Sequence, residues 1–179
     1  MSARVSTNSV FDDALAAIAA VVSLDNLQNT GRVTELLLGN GLVITEYLAD
    51  LLVQAQTEVL FATCFWASSP SLSLLHDALI ALNERARRDS RRVAVKILFS
   101  SYSFQQKFLS LKGTRIWKPS SWRKLGLPAA EMLDSLDFTV FSRFKKPFGI
   151  MHAKFLVIDR SSVILPSSNI SCTSSICHL

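Results

Sequence analysis

Acidic residues are scarce in the second half of this chain. Residues 85–179 hold five acidic side chains against seventeen basic ones, or +12, while residues 1–84 stand at −7, and the whole is +5. The basic half therefore favours an anionic partner such as phosphate, nucleic acid or an acidic lipid surface. Cysteine is scarce as well. Cys64, Cys172 and Cys177 are an odd number without framework spacing, which argues against a disulfide scaffold. Cys172, Cys177 and His178 match no common zinc pattern and lack a fourth ligand. Long hydrophobic runs are missing. The longest, Ala14 to Val22, has nine residues, whereas a bilayer span needs ~20. Asp12 and Asp13 stand just before that run, and Arg4 is the only base ahead of it, a poor fit to a secretory signal. The expectation is an intracellular protein, cytoplasmic or peripheral to a membrane. With only six glycines and five prolines among 179 residues, 49% of them apolar, the chain is neither collagen-like nor disordered and has material for one core.

Three stretches organise the chain. Residues 1–42 read as an extension with a helix over 11–22, and Asn40-Gly41 marks a turn ahead of a second helix near 43–56. Gly39-Asn40-Gly41 is no phosphate loop, because no Lys-Ser/Thr follows it. Residues 43–171 form the main lobe, and 172–179 an atypical short tail. Within the lobe, Thr57 to Trp66 is apolar on both alternating faces, as expected of a covered strand. Ser69 followed by Pro70 is a helix start. Leu72, Leu75, Leu79, Leu82 and Ala86 then recur at steps of three and four, one helical stripe beside which His76 is a boundary residue. The helix ends among Arg85, Arg87, Arg88, Arg91 and Arg92, where its dipole is negative. Val93 to Phe99 is a second strand, broken only by Lys96, so a right-handed βαβ unit with parallel strands is the natural arrangement. Further strands are expected at 138–141, 153–158 and 163–165, with a short helix over 129–136.

Between residues 100 and 136, Lys107, Lys112, Arg115, Lys118, Arg123 and Lys124 are interleaved with Phe104, Phe108, Trp117 and Trp122. Such a mixture suits single-stranded nucleic acid or a lipid interface. It equally suits an irregular excursion whose aromatics dock on the core, which is the preferred expectation.

The chemistry concentrates in Met151-His-Ala-Lys-Phe-Leu-Val-Ile-Asp159 and Pro166-Ser-Ser-Asn169. His152 and Lys154 are two apart at a strand start and share a face, which Leu156 and Ile158 continue into the core. Ser167 and Asn169 are likewise two apart, just after the next strand. If the two strands pair as a hairpin, all four side chains converge. An imidazole supplies a nucleophile or proton shuttle near neutral pH. An ammonium and an amide N–H donate to phosphoryl oxygens, the work a metal ion does elsewhere. No metal or other cofactor is called for.

The pattern His-x-Lys-x4-Asp-x6-Pro-Ser-x-Asn resembles the HKD signature of the phospholipase D superfamily, with Pro166 where that signature has Gly. Phe148-Gly-Ile-Met-His-Ala-Lys and Leu165-Pro-Ser-Ser-Asn are similar to fungal members of the group. The resemblance implies a phospholipase D/nuclease-like lobe, an α/β fold whose mixed sheet has helices on both faces. It implies hydrolysis or transphosphatidylation of a phosphodiester, phospholipid favoured, through a phosphohistidine. His152, Lys154 and Asp159 fall on the catalytic signature positions, with His152 as nucleophile or general acid. Lys154, Ser167 and Asn169 bind the phosphoryl group, and Asp159, on the opposite strand face, holds a turn.

Family enzymes join two such motifs across a pseudo-twofold axis, whereas this sequence has one His-x-Lys. The implied partner is a second copy or a second lobe. In the family a later acidic residue orients the His, but here no Asp or Glu follows Asp159. The expectation is therefore a truncated first lobe, incomplete as an isolated chain. Two alternatives remain: an inactive lobe that binds an anionic partner or second lobe through its basic half, and a nuclease of the same superfamily.

Overall fold

A computed structural model of the chain describes residues 33–101, 114–145 and 149–170. The helix expected at 11–22, the basic-aromatic residues 102–113 and the tail from residue 171 lie outside them. Backbone contacts divide the chain into units Met1–Leu36 and Leu37–Leu179, and the architecture below belongs to the second.

Helix α1 (Gly41–Val53) leads into strand β1 (Glu58–Phe65), helix α2 (Pro70–Arg88) and strand β2 (Val93–Ser101). Strand β3 (Thr114–Trp117) and two 3-10 turns follow, then β4 (Leu136–Lys145), β5 (Gly149–Ile150), β6 (Phe155–Ile158) and β7 (Ser162–Ile164). The mixed sheet runs β3-β4-β2-β1-β6-β7, with β5 paired to the end of β4. Its centre is parallel: β1 on β2 and β2 on β4. The flanking strands are antiparallel, β3 on β4, β6 on β1 and β7 on β6. The fold is thus α/β, with the parallel β1-α2-β2 unit read from the sequence.

The elements follow from local chemistry. Asn40 caps α1, its carboxamide accepting the N–H groups of Leu42 and Val43 at 3.1 Å. Ser69 caps α2 with Pro70 in the first turn. The whole stripe Leu72, Leu75, Leu79, Leu82 and Ala86 is buried. It packs with Leu48 and Leu52 of α1 on the sheet face made by Val59, Phe61, Val95, Ile97, Phe99, Phe138, Val140, Leu156 and Ile158. Each large side chain so buried contributes about 1.5–3 kcal/mol. Both described α-helices serve this face. Among the described residues no α-helix lies on the other face, where Lys96 is exposed, 3.7 Å from Glu58.

Several boundaries differ from the sequence expectation. The helix expected at 129–136 is a 3-10 turn of three residues, Ala130–Met132. A tertiary bond and the next strand explain this: Asn83, buried on α2, accepts the Ser135 N–H at 2.8 Å, and Leu136 already belongs to β4. The strand expected at 138–141 runs over 136–145, because β2 pairs with it along 136–142, β3 along 140–143 and β5 at 144–145. Strands β3 and β5 carry no strand pattern in the sequence. The helix expected near 43–56 starts two residues earlier and ends at Val53. Trp117 and Trp122 are core residues: Trp66 stacks on Phe99 at 5.2 Å, Phe99 meets Trp117 at 6.0 Å, and Trp122 sets its edge on Phe138 at 4.7 Å. The Trp66 indole donates to the Leu125 carbonyl at 2.8 Å, pinning the excursion to the core. Gly126 closes the 3-10 turn Pro119–Leu125 with φ +75°, and a Cβ there would come within 2.6 Å of Leu72.

Candidate active site

The topology determines where the chemistry gathers. Strands β1, β2 and β4 point the same way, so their carboxyl ends form one rim. Open α/β sheets bind ligands outside that rim. Strand β5 sits on the end of β4 and β6 starts opposite Ala62, near the end of β1. Residues 151–154 therefore cross from β4 to β1 over the end of β2, which lies between them. His152 and Lys154 ride on this crossing. The sequence expectation puts them at the start of a strand over 153–158, but the ladder begins only at Phe155.

The crossing is tied down at its start. The Ser100 hydroxyl, at the end of β2, accepts the Met151 N–H at 2.8 Å and donates to the Arg143 carbonyl at 3.0 Å. His152 is exposed, and the Lys154 Nζ lies 3.2 Å from its Nε2. The same ammonium reaches the His152 carbonyl at 3.4 Å. An imidazole and a cation thus share a solvent-accessible spot, as an incoming anion requires.

Asn169 reaches the same rim by another route. Strands β6 and β7 do form the expected hairpin, with Leu156 opposite Ile164. The chain then returns to β1, where the Asn169 Oδ1 accepts the Phe65 N–H at 3.2 Å and the Thr63 hydroxyl at 3.4 Å. With Oδ1 engaged by donors, the Nδ2 of the amide is the group left to donate outward. Ser69, the cap of α2, donates to the Ile170 carbonyl and holds this end of the segment. Thr63 and Lys154 are the next residues beyond the last β1–β6 pair, Ala62 with Phe155, so the Asn169 anchor and Lys154 flank one strand end. Ser167 is exposed in the turn between β7 and Asn169. Thr63 and Ser100 were not singled out from the sequence, where a single buried hydroxyl at a strand end leaves no spacing signal.

Asp159, the third signature position, is at the other end of the sheet. Its carboxylate accepts the N–H groups of Gln56 at 2.9 Å, Thr57 at 2.7 Å and Glu58 at 3.0 Å, and the Thr57 hydroxyl at 2.9 Å. Burial pushes this carboxyl up, but the donors of Glu58, Thr57 and Gln56 outweigh it and hold the pKa down at about 2. Asp159 clasps the entry to β1 to the β6–β7 turn and is not among the side chains gathered at the rim. Arg91 completes the clasp from α2's far end, donating to the carbonyls of Ala55 at 2.9 Å and Gln56 at 2.7 Å.

This sheet, with His152, Lys154 and Asn169 at the carboxyl rim of its parallel centre, defines a phospholipase D-like lobe. A family model described as the PLD-like domain of cardiolipin synthase matches residues 48–177, well over half of the chain, and the chain belongs to that family. No curated protein gives a significant match. No helix among the described residues is long and apolar enough to cross a membrane.

Proposed function

We propose that this lobe supplies one half of a phosphodiesterase site, with phospholipid as the favoured substrate class. The observation that carries the reading is the Lys154 ammonium 3.2 Å from the His152 Nε2 on the rim crossing. In the reaction, the neutral His152 imidazole attacks phosphorus through a ring nitrogen. The bond from phosphorus to the leaving oxygen breaks, and that oxygen takes a proton from a second imidazole. Water or an alcohol, deprotonated by the same second imidazole, then displaces His152 from phosphorus. Lys154 and the Asn169 amide neutralise and orient the non-bridging oxygens throughout, interactions that strengthen as charge develops. Ser167 adds a donor at the edge. The second imidazole comes from a second copy of the chain or from another lobe, as the single His-x-Lys requires.

The test is turnover of a generic phosphodiester, bis(p-nitrophenyl) phosphate, together with trapping of radiolabelled phosphohistidine. His152→Ala and Lys154→Ala are expected to lower turnover by at least 100-fold and to abolish trapping. Turnover in a purified dimer that is indifferent to His152→Ala would defeat the reading. A panel of phosphatidyl substrates and single-stranded DNA separates lipid from nucleic acid.

A further inference from the structure

We propose that Ser100 and Thr63 are positioning residues, one for each half of the rim cluster: Ser100 sets the crossing that carries His152 and Lys154, and Thr63 sets the Asn169 carboxamide. The assignment to a reaction rests on the function proposed above; the positioning itself does not.

Three observations carry it. Both hydroxyls are buried at the ends of adjacent parallel strands, Ser100 at 5% exposure and Thr63 at 1%. A buried hydroxyl must find partners, so each is committed to the groups it touches. Those groups are in the right places. Ser100 holds the Met151 N–H, one residue before His152, and is itself aimed by donating to the Arg143 carbonyl of β4. It bridges two rigid strands to a crossing that is outside the ladder and has no ladder bonds to hold it. The single Thr63 hydroxyl proton is shared between the Asn169 Oδ1 at 3.4 Å and the Phe65 carbonyl at 3.3 Å, and with the Phe65 N–H at 3.2 Å it forms a cradle that fixes which amide atom faces outward. Catalytic geometry is sensitive at this level, since a shift of about 1 Å in a positioned group can lower a rate about 100-fold.

The experiment uses the full chain and the variants Ser100→Ala, Ser100→Thr and Thr63→Val. Thermal unfolding first establishes that each variant is folded. The His152 ring resonances are then titrated by NMR and amide exchange is followed at Met151. Ser100→Ala should move the His152 titration and speed Met151 exchange at least tenfold, and Ser100→Thr should restore both. Thr63→Val should shift the Asn169 side-chain amide resonances and leave His152 in place. In the activity assay Ser100→Ala and Thr63→Val should each lower kcat about 10–100-fold with KM near that of the parent, and Ser100→Thr should bring kcat back. A folded Ser100→Ala protein whose His152 titration and Met151 exchange are unchanged would overturn the proposal for that residue. Unchanged Asn169 resonances in a folded Thr63→Val protein would do the same for Thr63. If the resonances move while the parent protein shows no turnover above His152→Ala, the positioning stands and the phosphodiesterase reading falls.

Discussion

At the scale of single residues, the candidate site draws on side chains of two kinds, those with a spacing signal and those without one. His152 and Lys154 stand out because alternation places two polar groups where the following Leu156 and Ile158 go inward, and both of those leucine and isoleucine side chains are buried. Ser100 and Thr63 were not legible, because a hydroxyl in a strand looks the same whether it faces water or anchors a neighbour 40 or more residues away. Asp159 yields a sharp expectation. Its pKa of about 2 lies below the ordinary 3.8, so its stabilisation is complete above pH ~4 and is lost as pH falls toward 2. A displacement of that size corresponds to ~2 kcal/mol. Asp159→Asn should lower stability at pH 7 by about that amount in urea titrations, and the gap to the parent protein should close by pH ~2.

At the scale of elements, helices and central strands follow from periodicity and caps. The edges do not. β3 and β5 exist because β4 offers them a partner, and no local pattern announces that. The end of α2 is another such detail. Ser90 sits at φ 51°, with the Arg91 N–H bonded to the Ala86 carbonyl at 3.0 Å and the Ser90 N–H to the Arg87 carbonyl at 3.1 Å. This is a Schellman closure, whose left-handed residue is most often glycine. Ser90→Gly should therefore stabilise the protein by ~0.5–1 kcal/mol, read as a rise in urea midpoint at constant slope. A fall in midpoint would show that the serine side chain has a role of its own.

At the scale of the whole molecule, many cations of the basic half are already committed within the chain. Several arginines of the basic half are used internally: Arg92 on Asp137 at 2.6 Å, Arg123 on Glu131 at 2.7 Å and Arg160 on Glu58 at 2.7 Å. Arg85 and Arg91 donate to backbone carbonyls of Val53, Ala55 and Gln56. Fewer cations are thus available for an anionic partner than the seventeen basic side chains of that half suggest. Under the lipid proposal, the full chain should sediment with vesicles containing an acidic phospholipid at low salt and release from them as salt screens the exposed charge. Equal partition onto neutral vesicles would count against an acidic surface as partner. The sequence could not show this, since pairing of Arg160 with Glu58 spans 102 positions.

The central place of β1 has a consequence for synthesis. Its partner β6 is translated roughly a hundred residues after it, and Thr57 waits equally long for Asp159. Until the ribosome releases residue 159, one side of an apolar strand stays open on the nascent chain. During that interval aggregation or chaperone capture competes with folding.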